Sequence, residues 1–166
     1  MTKIPTKSEC LKILKDNSVP DNIIAHVSAV CDFSMKIVDN LESKGVKVNR
    51  KLVAAGALLH DVRKLSTNDH VIEGYELIKS LGYPEVAEII KKHGLHLIGS
   101  GEFVPKTYEE KIVFYADKRV THDKFVTLDE RFRYLTQRYK KDRHEAEREM
   151  AFTRKIGEDI MGNSIL

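Results

Sequence analysis

The sequence predicts an all-α protein: a single compact bundle of about seven to eight helices spanning 1–166, with a motif-bearing core over 19–139 and a C-terminal helix over 142–162. Three observations carry this. Apolar residues recur at spacings of three and four along nearly the whole chain, the period of a helix with one buried face. Thr-x-x-Glu capping boxes stand at Thr6, Thr107 and Thr127, where the hydroxyl and the carboxylate satisfy orphan amides of a helix start. No segment alternates convincingly with period two. Val46 and Val48 alternate, but two positions do not make a strand.

The elements follow in order. Thr6 caps a first helix that runs to about residue 17. A second begins near Pro20, a residue suited to a first turn, and carries Ile23, Val27, Val30, Ile37, Val38 and Leu41 on one stripe. It stops at Gly45, where glycine accepts a left-handed cap. Asn49 caps a third helix, whose apolar run ends on His60-Asp61. A polar loop over 63–69 leads to a fourth helix over about 70–81, and a fifth over about 84–92 ends at His93-Gly94. Residues 94–106 hold Gly94, Gly99, Gly101 and Pro105 and read as a loop. Thr107 opens the helix that carries Asp117, and Thr127 opens the next.

Composition narrows the function. Hydrophobic content of 42% and charged content of 32% fit a globular domain, and no apolar run is long enough to span a bilayer. The start shows no apolar signal segment, so a cytoplasmic location is expected. Cys10 and Cys31 lack CxxC spacing and read as buried or free thiols. A net charge of +3 admits anionic ligands without pointing to nucleic acid. The basic stretch with aromatics near Arg131, Tyr134 and Tyr139 reads as a helix with Phe132, Leu135 and Tyr139 toward the core and its cations solvated, so nucleic acid is not expected as a partner.

The chemistry-bearing set is His26, His60, Asp61, His70, His93 and Asp117. Each has a bland reading alone. His26 lies close to an apolar stripe, Asp117 follows one and could pair with Lys118 or Arg119, His70 suits a helix start, and His93 suits helix C-terminal carbonyls. Together they are costly: imidazole and carboxylate beside buried faces require partners, and a divalent cation takes both as ligands. A helical bundle builds such sites from facing helices, so long separations are no obstacle. Arg63, Lys64 and Lys118 adjoin the set. Arg63 and Lys118 are candidate phosphate clamps, with a surface ion pair as the competing reading; for Lys64 and Arg119 the ion pair is preferred. No Gly-x-Ser-x-Gly, P-loop or Rossmann pattern is present.

The segments around Ala25-His26, Leu59-His60-Asp61-Val62-Arg63-Lys64, His70-Val71-Ile72-Glu73-Gly74, Lys92-His93 and Ala116-Asp117-Lys118 resemble the HD-domain superfamily of metal-dependent phosphohydrolases, nearest its small stand-alone HDIG-like members. Arg63 stands where those often have glycine. The resemblance implies a first metal site of His26, His60, Asp61 and Asp117. It implies a second completed by His70 and His93, with Asp61 bridging. One or two divalent transition metals follow, iron first, with manganese, zinc, nickel, cobalt or magnesium as alternatives. Asp61, Arg63 and Lys118 are then expected in catalysis, and Arg63, Lys118 and His96 on the substrate. His122 and His144 read as surface residues. The expected function is hydrolysis of a nucleotide or other small phosphoester by metal-activated water. The alternatives are a regulatory or nucleotide-binding module without turnover and a di-iron oxygenase. A homodimer is compatible with all three.

Overall fold

In the computed structural model, which describes residues 2–162, eight α-helices form where caps and periodicity place them. Met1 and residues 163–166, part of the expected single unit, lie outside the described residues. The helices are α1 (Lys7–Asp16), α2 (Asp21–Ser43), α3 (Arg50–Leu59), α4 (His70–Ser80), α5 (Pro84–Lys91), α6 (Tyr108–Asp117), α7 (Leu128–Tyr139) and α8 (Arg143–Met161). All three capping boxes form, with Thr6, Thr107 and Thr127 each accepting from the backbone N–H of the glutamate three residues on. Gly45 takes its left-handed conformation (φ 81°) just past α2. The Asn49 side chain accepts from Leu52 N.

α3 is the axis of the fold. Val53, Ala55, Gly56, Ala57, Leu58 and Leu59 are all buried, because α1, α2, α5 and α6 pack around it. A helix segment covered on all sides must be apolar on all sides, as α3 is beyond its exposed first residues, Arg50 and Lys51. Each fully buried Leu, Ile or Val contributes on the order of 1.5–3 kcal/mol, and Leu14, Ile37, Leu58, Ile90 and Ile112 are all in this class.

Three features depart from expectation. α3 ends at Leu59, and the chain continues as tightened turns: Val62 N donates to Leu59 O, Lys64 N to Asp61 O and Ser66 N to Arg63 O. A short antiparallel hairpin, β1 (Val120–Thr121) with β2 (Lys124–Phe125), follows α6. Its central His122 has φ 56°, the positive value that a primed two-residue turn demands, and four paired residues are too short a pattern to read from sequence. Tyr139 is 55% exposed rather than part of the core, whereas Phe132 and Leu135 are buried as expected. The loop over 94–106 holds two single 3-10 turns, Leu95–Leu97 and Gly101–Phe103. Among the described residues no helix is long and apolar enough to cross a membrane.

Candidate metal centre

Five helices and the turns that follow them deliver the histidines and aspartates to one point. His26 comes from the first half of α2, His60-Asp61 from the turns after α3, His70 from the first residue of α4, His93 from just past α5, and Asp117 from the last residue of α6. His26 Nε2 lies 3.1 Å from Asp117 Oδ1 and 3.9 Å from Asp61 Oδ2. His60 Nε2 lies 3.5 Å from Asp117 Oδ1 and 3.6 Å from Asp61 Oδ2. The other oxygen of Asp61, Oδ1, lies 3.5 Å from His93 Nε2 and 3.7 Å from His70 Nε2. Asp61 therefore presents one oxygen to the His26–His60–Asp117 group and the other to the His70–His93 pair.

The imidazoles are fixed from behind. His60 Nδ1 donates to Ala57 O at 2.8 Å, His93 Nδ1 to Ile90 O at 2.6 Å and His26 Nδ1 to His122 O at 2.7 Å. A carbonyl only accepts, so the proton sits on Nδ1 and, in the neutral ring, Nε2 offers its lone pair toward the carboxylates. Such backing contacts orient the histidines of metal sites. The strained hairpin turn thus has a use: it brings the His122 carbonyl to His26. The His122 ring makes none of these contacts, and the backbone role leaves no trace in residue identity.

The charge balance is tight. Burial raises the carboxyl pKa of Asp61, but His60, Lys64 and His93 outweigh it and hold the group well below its ordinary value. For Asp117 burial is likewise outweighed, by Lys118 first and then His26 and His60. Burial works against protonation of His60, yet Asp61 and Asp117 raise its pKa. His93 and His70 are lowered, both chiefly by burial, and His70 to about 4. Both remain neutral imidazoles, the form that binds metal.

The donor set fits a cation. His60 Nε2 and His93 Nε2 are buried and have no hydrogen-bond partner among the described residues. Unpaired buried polar atoms cost about 1–3 kcal/mol each. Two donor groups, His26–His60–Asp117 and His60–Asp61–His93, have ligand atoms within 4.8 Å of one another. Imidazole and carboxylate without thiolate suit iron, manganese, zinc and nickel.

The cations around the cluster fall differently from expectation. Lys64, read as a surface ion pair, holds Asp61, with Nζ 3.3 Å from Oδ2 and 3.4 Å from Oδ1. Lys118 is 3% exposed, and its Nζ donates to Asp117 Oδ2 at 2.6 Å and to His93 O at 2.7 Å. It is a positioning group for two of the candidate ligands rather than an unengaged phosphate clamp. Arg63 forms no hydrogen bond or ion pair with the six among the described residues and lines a second chamber, whose wall Asp61 shares. Arg131 from α7, expected among the solvated cations, instead reaches the cluster: its Nη2 lies 3.8 Å from Asp117 Oδ1. The signal was present, since Arg131 falls on the α7 stripe between Leu128 and Leu135 at spacings of three and four. Lys64, His70, His93, Lys118, Arg131 and Tyr139 share a cleft of about 580 Å³. His96 also borders it, but its Nε2 pairs with Asp69 at 2.8 Å. Arg119 donates to Val126 O and Tyr115 Oη, away from the cluster.

Comparison with known proteins places this geometry. A tRNA (cytidine(56)-2'-O)-methyltransferase of Picrophilus torridus is 38% identical over 138 residues, covering 75% of this chain and 39% of that protein. The namesake in Thermoplasma volcanium is 30% identical over 76% of this chain and 40% of its own length. The chain thus spans about two fifths of these relatives. An uncharacterized protein of Methanocaldococcus jannaschii is 30% identical, with 81% of this chain aligned to 86% of that one. A dihydroneopterin 2',3'-cyclic phosphate phosphodiesterase of the same organism is 32% identical over 111 residues, 58% of this chain and 45% of the relative. No solved structure matches. The HD domain family matches residues 23–121, from the start of α2 through β1, a span that contains His26, His60, Asp61, His70, His93 and Asp117; the chain belongs to that family.

Proposed function

We propose that this protein is a metal-dependent phosphohydrolase acting on a nucleotide or another small phosphoester. The observation that carries the reading is the division of Asp61, whose two oxygens face two separate groups of imidazoles. His26, His60, Asp61 and Asp117 would hold one cation; Asp61, His70 and His93 would hold a second. Bound there, such ions lower the pKa of water from ~15.7 toward ~7 and neutralise phosphate charge. The chain's own contribution is positional. Carbonyls of Ala57, Ile90 and His122 fix three imidazoles, and Lys118 fixes Asp117. Lys64 and Arg131 supply positive charge at the cleft, where a phosphate would gain charge-assisted hydrogen bonds.

The relative named as a cyclic phosphate phosphodiesterase supports a phosphodiester substrate, and we place cyclic phosphodiesters first among candidates. Anaerobically purified protein should contain more than one equivalent of transition metal by elemental analysis. Iron is expected, and assays with manganese, cobalt, nickel, zinc and magnesium rank the alternatives. Turnover of cyclic and linear phosphoesters that disappears with chelator supports the reading. A metal-loaded protein inert toward all of them supports a second one, a binding or regulatory module. The names of the longer methyltransferase relatives favour that alternative. Dependence of turnover on dioxygen and a reductant would replace both with an oxygenase.

A further inference from the structure

Beside the metal cluster lies a second chamber of about 360 Å³, walled by the α1–α2 corner and by the turns that follow His60. Asp61 and Lys64 belong to its wall, and Lys64 also borders the cationic cleft. Lys64 thus stands between the cleft and this space. The chemistry of the wall differs from that of the cleft: Ser18, Thr67 and Asn68 offer hydroxyl and amide groups, and Arg63 and Glu73 offer opposite charges.

Glu73 is held in a defined pose. Its Oε2 accepts from Ser66 Oγ, and its Oε1 accepts from Asn68 Nδ2 at 2.7 Å. Each carboxylate oxygen has capacity for a further donor. The Ser66 bond, then the Asn68 bond, lowers the Glu73 pKa, so the group is an ionised, acceptor-only reader. Arg63 lines the same wall, and its buried Nε has no hydrogen-bond partner among the described residues.

We propose that this chamber receives the non-phosphate half of the substrate, and that Glu73 and Arg63 read the edge of a 2-amino-4-oxopyrimidine ring, the group shared by guanine and pterins. That edge presents a ring N–H and an exocyclic amine side by side, which match the two oxygens of one carboxylate. Its carbonyl oxygen matches an arginine donor. Adenine presents a ring acceptor at the position of that N–H and an amine at that of the carbonyl, and is refused by an unpaired buried group. The placement of the phosphate rests on the hydrolase reading; the chamber itself does not.

Calorimetric titration with guanosine, with pterin and with adenosine, all free of phosphate, tests the chamber independently of turnover. Guanosine or pterin should bind at least tenfold more tightly than adenosine, and the tighter of the two identifies the source of the ring. Glu73→Gln turns one acceptor into a donor and should remove at least tenfold of that preference. Thr67→Trp, which fills the chamber from its rim, should remove binding even if Glu73→Gln lowers the melting temperature. Equal affinity for adenosine, no binding of any ring by the wild type, or an unchanged preference in Glu73→Gln would each overturn the proposal. Failure of hydrolysis with intact guanosine or pterin binding would overturn the hydrolase reading and leave the chamber standing.

Discussion

His26 Nε2 stands 3.1 Å from Asp117 Oδ1, although 91 residues separate them in the chain. Both belong to helices packed on α3, and neither helix alone explains a buried imidazole meeting a buried carboxylate. The His122 carbonyl, from the hairpin after α6, locks the far side of the same ring. One connection, α6 into β1 and β2, therefore sets both the carboxylate and the orientation of its partner.

Removal of Asp61 should cost both halves of the cluster. Asp61→Ala takes one oxygen from each imidazole group and leaves His60 and Lys64 without their counter-charge. Elemental analysis should show near-complete loss of metal, with helix content retained in circular dichroism because packing supplies most helical stability. Full metal occupancy in this variant would show that Asp61 is not a ligand.

The two imidazole groups should separate by mutation. His70→Ala and His93→Ala remove neighbours of Asp61 Oδ1 and should deplete one equivalent of metal. His26→Ala acts on the Oδ2 side and should deplete the other. Loss of all metal in each of the three variants, with helix content retained, would point to one shared mononuclear site.

Lys118 and Lys64 should differ in what they disturb. Lys118→Met leaves Asp117 buried without its closest counter-charge, a change worth about 3–5 kcal/mol in comparable buried pairs. Both melting temperature and metal content should fall. Lys64→Met and Arg131→Met act at the cleft. Each should reduce kcat/KM on a phosphate substrate by ~10-fold, or ~1.4 kcal/mol, with metal retained. Arg63→Met should spare turnover of a small phosphoester that does not reach the neighbouring chamber. Loss of metal in Lys64→Met would show that its ion pair with Asp61 is needed for metal binding and that it does not act on substrate alone.

Gly157 allows α8 to approach α6. A Cβ at this position would stand 2.5 Å from Tyr115 Cε2, in a ring that is 2% exposed. The Tyr115 hydroxyl also accepts from Arg119, so the ring has little freedom to yield. Overpacking of this kind costs typically about 1–3 kcal/mol. Gly157→Ala should lower the urea midpoint by a corresponding amount, and an unchanged midpoint would show that the two helices can slide apart.

Cys10 gives a pH dependence of known sign. Burial pushes its thiol from 9.0 up to about 12, so the native state retains a proton that the unfolded chain gives up first. The contribution is complete below pH 9 and is lost as pH rises toward 12. Native protein at pH 8 should resist thiol reagents at Cys10 until unfolded. The wild type should lose more stability than Cys10→Ala between pH 8.5 and 11 in urea titrations. Parallel curves for the two proteins would show that this thiol is not linked to folding.

The sequence by itself determined the helices and their caps, because those depend on residues three and four apart. Thr6, Thr107 and Thr127 each close a capping box within their own first turn. It also listed the six residues that the structure brings together, because imidazole and carboxylate groups beside buried faces need partners and because the segments around them resemble the HD-domain superfamily. Tertiary structure decided which cation serves which carboxylate. Lys64 and Arg63 are neighbours in sequence, yet one holds Asp61 and the other faces a different chamber, because the turns after α3 depart from the helical path. Arg131 reaches Asp117 only because α7, packed on α8, brings its first half to the end of α6, and the His122 carbonyl reaches His26 only because a hairpin too short to carry a pattern follows α6. Backbone carbonyls are chemically the same at every residue, so their use in a site is set by the packing of distant segments and not by side-chain identity.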